Sequence, residues 1–272
     1  LSNTANGTIT STGNSSAVYL ANSSTISSLS NAGNIQGNVT LNNSTITTFE
    51  NTGTINSTGY AVYSVSGTIS TFTNTGTLDG TVYDIFMNSG STLTTFNNDQ
   101  GASGSDPVTY RGIIPTNYNI IINSTSDYGQ VVFSSVSGTT NFGVHSTSSV
   151  DTGTTYSSVI DGLTSAELNN TTTGTITLSG TSYTWTLTDT DSDLAWDLNF
   201  ATNGPSAADT QTSIQAIKGQ LQGNLNSLTA GANFANMNTY DCNFFDTKGG
   251  CFSFGNRYTD IQSPSIHTNS FV

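Results

Sequence analysis

Short runs of alternating apolar and polar residues fill the first hundred positions, and one such run occurs four times. The copies begin at Ile26, Ile46, Ile69 and Leu93, at intervals of 20, 23 and 24 residues. The first three share the form apolar-x-x-Leu/Phe-x-Asn-x-Gly, and a degenerate fourth copy ends near Gly101. A repeat of this length indicates supersecondary units that stack on one another.

The alternation has the two-residue period of β-strands and lacks the spacing of an amphipathic helix. Asn-x-Gly corners fit between strands because Asn and Gly tolerate left-handed backbone angles. At about 3.3 Å per residue, some 20 residues are enough for one coil with three short sides. We therefore predict an all-β fold with a right-handed parallel β-helix over residues 1–101.

Stacking of the copies in register predicts ladders of equivalent side chains. One coil cannot bury its own apolar face, but its neighbours cover it. The apolar ladder inside the helix would contain Leu29, Phe49, Phe72 and Phe96, and a corner ladder would contain Asn31, Asn51 and Asn74. Leucine-rich repeats have a similar period but several leucines per copy, and a two-sheet sandwich remains the rival fold.

The pattern changes after the repeats. Residues 102–112 are predicted to be a junction loop, and residues 113–203 a β-rich region that covers the open edges of the last coil. Its last two strands, near residues 183–188 and 194–200, alternate cleanly and predict an antiparallel hairpin to which Trp185 and Trp196 add apolar bulk.

Residues 204–238 contain the convincing helix, in which apolar residues recur at helical spacing on one narrow stripe. Two interpretations remain open: an ordinary surface helix of poor propensity, or a helix with a close neighbour at Gly219 and Gly223.

Residues 239–272 contain Cys242 and Cys251, which flank a turn-rich stretch. They are predicted to form a disulfide across a hairpin, with a pair of free thiols as the alternative.

Charge is scarce and almost entirely negative. The chain has 4 Lys and Arg against 17 Asp and Glu, a net charge of −13, and only 8% charged residues. Nucleic-acid binding requires basic residues to displace counterions from phosphates, so this class is excluded. Anionic membranes are disfavoured for the same reason. A neutral surface of hydroxyls and amides instead suits an extracellular location.

The sequence gives little support for catalysis, and we predict neither an enzyme nor a cofactor. The repeats contain no Arg or Lys to bind an acidic polysaccharide, and no Gly-x-Ser-x-Gly nucleophile motif occurs. Asp189, Asp191 and Asp193 are a weak candidate for a calcium site. They lack the glycine and distal glutamate of a calcium-binding loop, which favours a solvated hairpin turn instead.

Several segments resemble the type V autotransporters of Gram-negative bacteria. The matching segments are residues 115–124, 156–163 and 184–198, together with Tyr240 to Cys251 and the residues 255–259 that follow. The resemblance implies a β-helical passenger, a junction that assists folding, a linker helix that threads a barrel, and the first strand of an outer-membrane barrel. Too few residues follow the helix for that barrel, so outer-membrane attachment would use a barrel that this chain does not contain.

These observations predict a bacterial cell-surface passenger that acts in adhesion or self-association through its Thr-, Ser- and Asn-rich faces. The expected partner is a second copy of the chain or a cell-surface glycan or protein. The alternative is a structural fibre or coat subunit that polymerises through the ends of the β-helix. A polysaccharide-degrading β-helix enzyme is a distant third.

Overall fold

The structure is a computed structural model that describes residues 1–11, 15–104, 106–189, 194–204, 207–237, 247–249, 256–261 and 266–271. The chain divides into two units, Leu1–Asn203 and Gly204–Val272. The first unit contains a parallel β-solenoid of about six turns, and the second contains the one helix of the described residues. The predicted fold class, a parallel β-helix followed by further β structure and one helix, is confirmed.

The first unit is built from short strands. In chain order they are β1 (Ser2–Asn3), β2 (Thr8–Thr10), β3 (Ser16–Leu20), β4 (Thr25–Asn31), β5 (Asn34–Gln36), β6 (Asn38–Leu41), β7 (Thr45–Asn51), β8 (Thr54–Ser57), β9 (Tyr60–Ser64), β10 (Thr68–Asn74), β11 (Thr77–Gly80), β12 (Tyr83–Met87), β13 (Thr92–Asn98), β14 (Val108–Ile113), β15 (Asn117–Ile120), β16 (Ile122–Ser124), β17 (Asp127–Tyr128), β18 (Val131–Ser137), β19 (Asn141–Val144), β20 (Tyr156–Asp161), β21 (Thr173–Leu178), β22 (Thr181–Thr188) and β23 (Trp196–Thr202).

Three parallel sheets form the sides of the solenoid. Sheet A contains β1, β4, β7, β10, β13, β15 and β19, and sheet B contains β2, β5, β8 and β11. The parallel part of sheet C contains β3, β6, β9, β12, β14, β18 and β20. Each of the first four turns therefore adds one strand to sheet A, then to sheet B, then to sheet C, as a three-sided coil requires.

The register of sheet A places equivalent residues of successive copies side by side. Leu29 lies opposite Phe49, Phe49 opposite Phe72, and Phe72 opposite Phe96, and all four side chains are buried. The Phe49 and Phe72 rings stack with centroids 4.3 Å apart and planes at 13°. Burial of these side chains stabilises neighbouring turns, and ring stacking adds to it between Phe49 and Phe72.

A ladder of asparagines follows the corner after sheet A. The amide nitrogen of Asn31 donates to Oδ1 of Asn51 at 2.7 Å, and that of Asn51 donates to Oδ1 of Asn74 at 2.8 Å. The ladder extends beyond the three predicted members to Asn3 and Asn98. Asn31, Asn51 and Asn74 each donate and accept within the ladder, so their buried amides keep hydrogen-bond partners.

The glycine of each Asn-x-Gly corner has a different role from the one we expected. Gly33, Gly53 and Gly76 are not among the residues with left-handed backbone angles. A Cβ at Gly53 would instead collide with the carbonyl oxygen of Gly33, and a Cβ at Gly76 with that of Gly53. Glycine is therefore required because consecutive turns approach closely at this corner.

The solenoid does not end where the recognisable repeat ends. Strand β14 occupies residues 108–113, so the segment expected to be a junction loop is only partly a loop, and β14 pairs in parallel with both β12 and β18. The phenyl ladder likewise continues from Phe96 to Tyr118 and Phe142. Buried and exposed positions still alternate in these later turns, but the Thr-, Asn- and Gly-rich motif that identified the four copies is absent from them.

An antiparallel extension covers the last turn. Strand β20 pairs antiparallel with β23, which pairs with β22, which pairs with β21. The β22–β23 pairing confirms the predicted hairpin. The Trp185 ring meets Phe142 edge to face at 5.1 Å, and Nε1 of Trp196 donates to the carbonyl oxygen of Leu163 at 2.7 Å. The two tryptophans therefore close the apolar core at this end.

The second unit contains α1 (Ala207–Met237) and an antiparallel pair, β24 (Asn256–Ile261) and β25 (Ile266–Phe271). The helix carries its apolar stripe on exposed positions, which are Ile214, Ile217, Leu221, Leu225 and Leu228. Among the residues described, no helix is both long enough and apolar enough to cross a bilayer.

Candidate functional site

The predicted ladder residues lie inside the solenoid. Leu29, Phe49, Phe72 and Phe96 are fully buried. Asn31, Asn51 and Asn74 are also fully buried and bond to one another. Because no ligand can reach these side chains without unfolding the coil, they support the fold, and any binding site must be sought on the outer faces.

The weak calcium candidate falls largely outside the described residues. Asp189 is half-buried, whereas Asp191 and Asp193 lie outside the described part of the chain, as do Cys242 and Cys251. Within the described part, no group of three or more His, Cys, Asp or Glu side chains is arranged to hold a metal ion. The disulfide and the calcium site therefore stay predictions.

Sheet B carries a groove of about 550 Å³ on its outer side. Its wall has no charged side chain and consists of hydroxyls, amides and one glycine, from Thr10, Ser11, Asn34, Gln36, Gly37, Thr54, Asn56, Ser57 and Thr58. The register of β2, β5 and β8 aligns Thr10, Gln36 and Asn56 in one row. The groove therefore offers regularly spaced hydrogen-bond donors and acceptors without charge.

A second surface feature lies on the outer face of sheet C. We call it the aromatic cluster, and it contains Tyr60, Tyr63, Tyr83, Phe86 and Arg111. The Tyr60 and Tyr63 ring centroids are 5.2 Å apart, and Phe86 lies 5.1 Å from Tyr60 and 5.4 Å from Tyr63. All five side chains are partly exposed. The rings therefore support one another while presenting part of their surface to solvent.

Arg111 completes the aromatic cluster from the next strand. It lies opposite Phe86 in the β12–β14 register, and its guanidinium carbon is 5.5 Å from the Tyr83 ring centroid and 5.4 Å from that of Phe86. A cation at this distance from an aromatic face is attracted by the ring quadrupole. Arg111 is also the only Lys or Arg among the first 203 residues. The only Lys or Arg of the solenoid is thus held against partly exposed rings.

The aromatic cluster was not anticipated from the sequence, although a signal for it exists. Tyr60 and Tyr83 are separated by 23 residues, and so are Tyr63 and Phe86. That interval equals the one between the second and third copies of the repeat, so the register sets each pair side by side on adjacent strands. The contribution of Arg111 had no such signal, because its strand lies beyond the recognisable repeat.

An acidic cleft of about 440 Å³ borders the end of sheet B. Asp84 is the buried carboxyl in its wall: one oxygen accepts from the Gly80 amide at 2.8 Å, and the other accepts from the Thr109 amide at 2.7 Å and from its hydroxyl at 2.9 Å. Burial raises the pKa of Asp84, the three hydrogen bonds oppose that shift, and the nearby Asp79 adds to it. With its oxygens already bonded, Asp84 ties β14 to the preceding turn.

We expect the stabilising contribution of Asp84 to depend on pH. Its pKa is raised in the folded state, so the folded protein holds this proton more tightly than the unfolded chain, and the resulting stability is present at low pH and lost as pH rises through the folded pKa. The free energy of unfolding of the protein minus that of Asp84→Asn should therefore be larger near pH 4 than at pH 7. Urea titrations of both proteins at each pH measure this difference.

The comparison of the protein with Asp84→Asn includes its own control for other titrating groups. Burial lowers the pKa of His145, which acts in the opposite direction, but this residue is present in both proteins and cancels. A difference that stays constant or shrinks toward pH 4 would contradict a raised pKa at Asp84.

The fold and these surfaces define a parallel β-solenoid protein with uncharged and aromatic outer faces. Comparison of the chain with models of known protein families, with curated proteins and with solved structures gives no match.

Proposed function

We propose that this protein is a bacterial cell-surface passenger that acts in adhesion or self-association. The observation that carries the proposal is the groove of sheet B, whose wall consists of hydroxyls, amides and glycine repeated from turn to turn. Each hydrogen bond to such a surface is weak, but equivalent rows allow many to form together. Binding through many weak hydrogen bonds suits contact between two extended surfaces better than recognition of one small molecule.

The charge of the solenoid supports an extracellular partner. Residues 1–203 contain 13 Asp and Glu against Arg111 alone, a formal charge of −12. Such a surface repels nucleic acid and anionic membranes, whereas an uncharged glycan or protein face meets no such repulsion. The resemblance to type V autotransporters supports the same location, with a route to the outer surface of a Gram-negative cell.

Binding rather than catalysis is part of the proposal. The buried carboxyl of the acidic cleft is engaged by Gly80 and Thr109, and His145 bonds through Nδ1 to the hydroxyl of Thr147 at 2.8 Å. Each of these contacts links nearby segments of the chain, and we assign both of them a structural role. The antiparallel strands and Trp185 on the last turn also count against a fibre built by end-to-end stacking, since that end presents no open phenyl ladder.

Charging the groove should weaken adhesion. We expect beads coated with the full chain to cluster or to bind cells. Beads coated with the double variant Gln36→Glu, Thr54→Glu should do so about tenfold more slowly. In self-association the added carboxylates of two copies would repel each other, and against a neutral partner they would lose their hydration without gaining an opposite charge. The matched control is Thr175→Glu, Thr177→Glu, which adds the same charge at exposed positions of β21. Turbidity and microscopy measure the clustering rate.

The outcomes separate the two function classes. Coated beads that neither cluster nor bind cells would reject adhesion, and filaments of the soluble protein seen by electron microscopy would favour the fibre. Equal losses in the groove and control variants would reject the groove as the binding surface.

A further inference from the structure

We propose that the aromatic cluster is a binding site for a neutral saccharide. Its defining residues are Tyr60, Tyr63, Tyr83, Phe86 and Arg111, all on the outer face of sheet C. The inference deepens the proposed adhesive function and rests on it, since it names the ligand class that one solenoid face takes. The sheet B groove is a separate surface and is not part of this site.

The chemistry of the cluster matches the two kinds of surface on a sugar ring. A pyranose has an apolar C–H face, which packs against an aromatic ring, and a rim of hydroxyls, which needs hydrogen-bond partners. Tyr60, Tyr63 and Phe86 supply rings within 5.5 Å of one another, and the two tyrosines add phenolic hydroxyls. A purely apolar partner would leave those hydroxyls without hydrogen bonds.

Arg111 gives the site its directional donors. The rings of Tyr83 and Phe86 hold the planar guanidinium, whose five N–H groups point outward from its edge. Among the described residues, no carboxylate is paired with this guanidinium, so its donors remain available to sugar hydroxyls or to a ring oxygen. A guanidinium fixed in place loses less conformational entropy on binding than a free side chain.

Electrostatics select a neutral ligand over an acidic one. A uronate polymer would find one positive charge at the cluster but a solenoid of formal charge −12 around it. Repulsion over that area outweighs a single exposed ion pair, which is worth little in water. The same field disfavours an anionic membrane as the partner of the cluster.

Stabilisation of the coil alone does not account for the cluster. The turns are already joined inside by the buried phenyl ladder, in which the Phe72 ring contacts those of Phe49 and Phe96. The outer rings instead remain partly exposed, next to the only Lys or Arg side chain of the solenoid. Exposed aromatic rings grouped beside a polar donor are the usual composition of a recognition surface.

Direct binding of soluble sugars to the full chain tests the site. The probes are cellotriose and triacetylchitotriose as neutral trisaccharides and trigalacturonate as an acidic one, each measured by calorimetric titration in low and high salt. We expect a neutral trisaccharide to bind with a dissociation constant of about 1 mM, unaffected by salt, as fits a shallow site with few contacts. Trigalacturonate should bind more weakly, if at all.

Phe86→Leu is the decisive variant because it keeps an apolar side chain while removing the flat ring. We expect about a tenfold loss of affinity for the neutral sugar, and thermal unfolding of the variant reports whether the fold is kept. The matched control is Tyr19→Ala, an exposed tyrosine of sheet C that lies outside the cluster, with Thr40 between it and Tyr63. Its affinity should match that of the unaltered protein.

Three results would overturn the proposal. The first is that neither neutral sugar binds at millimolar concentration, and the second is that trigalacturonate binds more tightly and in a salt-sensitive way. The third is that light scattering shows the unaltered protein to be a dimer that Phe86→Leu dissociates without affecting sugar binding, which would assign the cluster to a second copy. Because the sugars are soluble and monovalent, failure here leaves bead clustering, the test of adhesion, as an independent result.

Discussion

Replacing Phe72 by alanine is expected to destabilise the solenoid by about 3–5 kcal/mol. Phe72 is fully buried, and its ring is sandwiched between Phe49 at 4.3 Å and Phe96 at 5.3 Å, so truncation leaves a cavity between two turns. Neighbouring turns depend on each other for burial, and the loss is therefore shared by the coils on both sides. Urea unfolding of the full chain, followed by circular dichroism, measures the change in unfolding free energy.

Two further variants calibrate this expectation. Phe72→Leu should cost less than the alanine variant, because leucine occupies the equivalent ladder position at Leu29. Thr75→Ala alters an exposed side chain near the same corner and should change the unfolding free energy by no more than about 0.5 kcal/mol. A Phe72→Ala protein as stable as Thr75→Ala would mean that the phenyl ladder does not hold the turns together.

Replacing Asn51 by aspartate is expected to cost about 3–5 kcal/mol at pH 7, because it places an uncompensated charge in the buried ladder. The carboxylate still accepts from Nδ2 of Asn31, but its other oxygen faces Oδ1 of Asn74, to which the amide had donated at 2.8 Å. Once protonated, the carboxyl can donate to Asn74 again. Its pKa should therefore be raised in the folded state.

The pH dependence follows from that shift. A group whose folded pKa is raised contributes stability that is present at low pH and lost as pH rises, so the deficit of Asn51→Asp should shrink as pH falls toward about 4, the ordinary Asp value. Asn6→Asp makes the same chemical change at an exposed position and serves as the control. A deficit at Asn51 that equals the control at every pH would show that the ladder hydrogen bonds are not needed.

The first four turns were predictable because their sequence repeats in register. Side chains one period apart, such as Phe49 and Phe72, must take equivalent positions in any stacked coil. The later turns were harder to see. Tyr118 takes the inward position of Phe96 on sheet A, and Tyr110 takes that of Ile85 on sheet C. The residues around them also differ from those of the repeat, so the period is lost although alternation remains.

The role of the corner glycines and the composition of the aromatic cluster could not be predicted from the sequence and became clear only from the structure. Whether Gly53 is required by its own backbone angle or by the Gly33 carbonyl of the previous turn depends on the distance between turns, which a sequence does not contain. Arg111 joins Tyr83 and Phe86 because β14 follows β12 in sheet C, across a segment that had been assigned to a loop.

By itself, the sequence determined that the chain winds as stacked β-coils, which residues face the core, and that its surface is neutral or negative, since these follow from local alternation, period and composition. Only the tertiary structure decided where the coil ends and which exposed side chains from different turns meet on one face. Those features depend on the pairing of strands more than 20 residues apart, and hydrogen-bonded register, not local propensity, fixes that pairing.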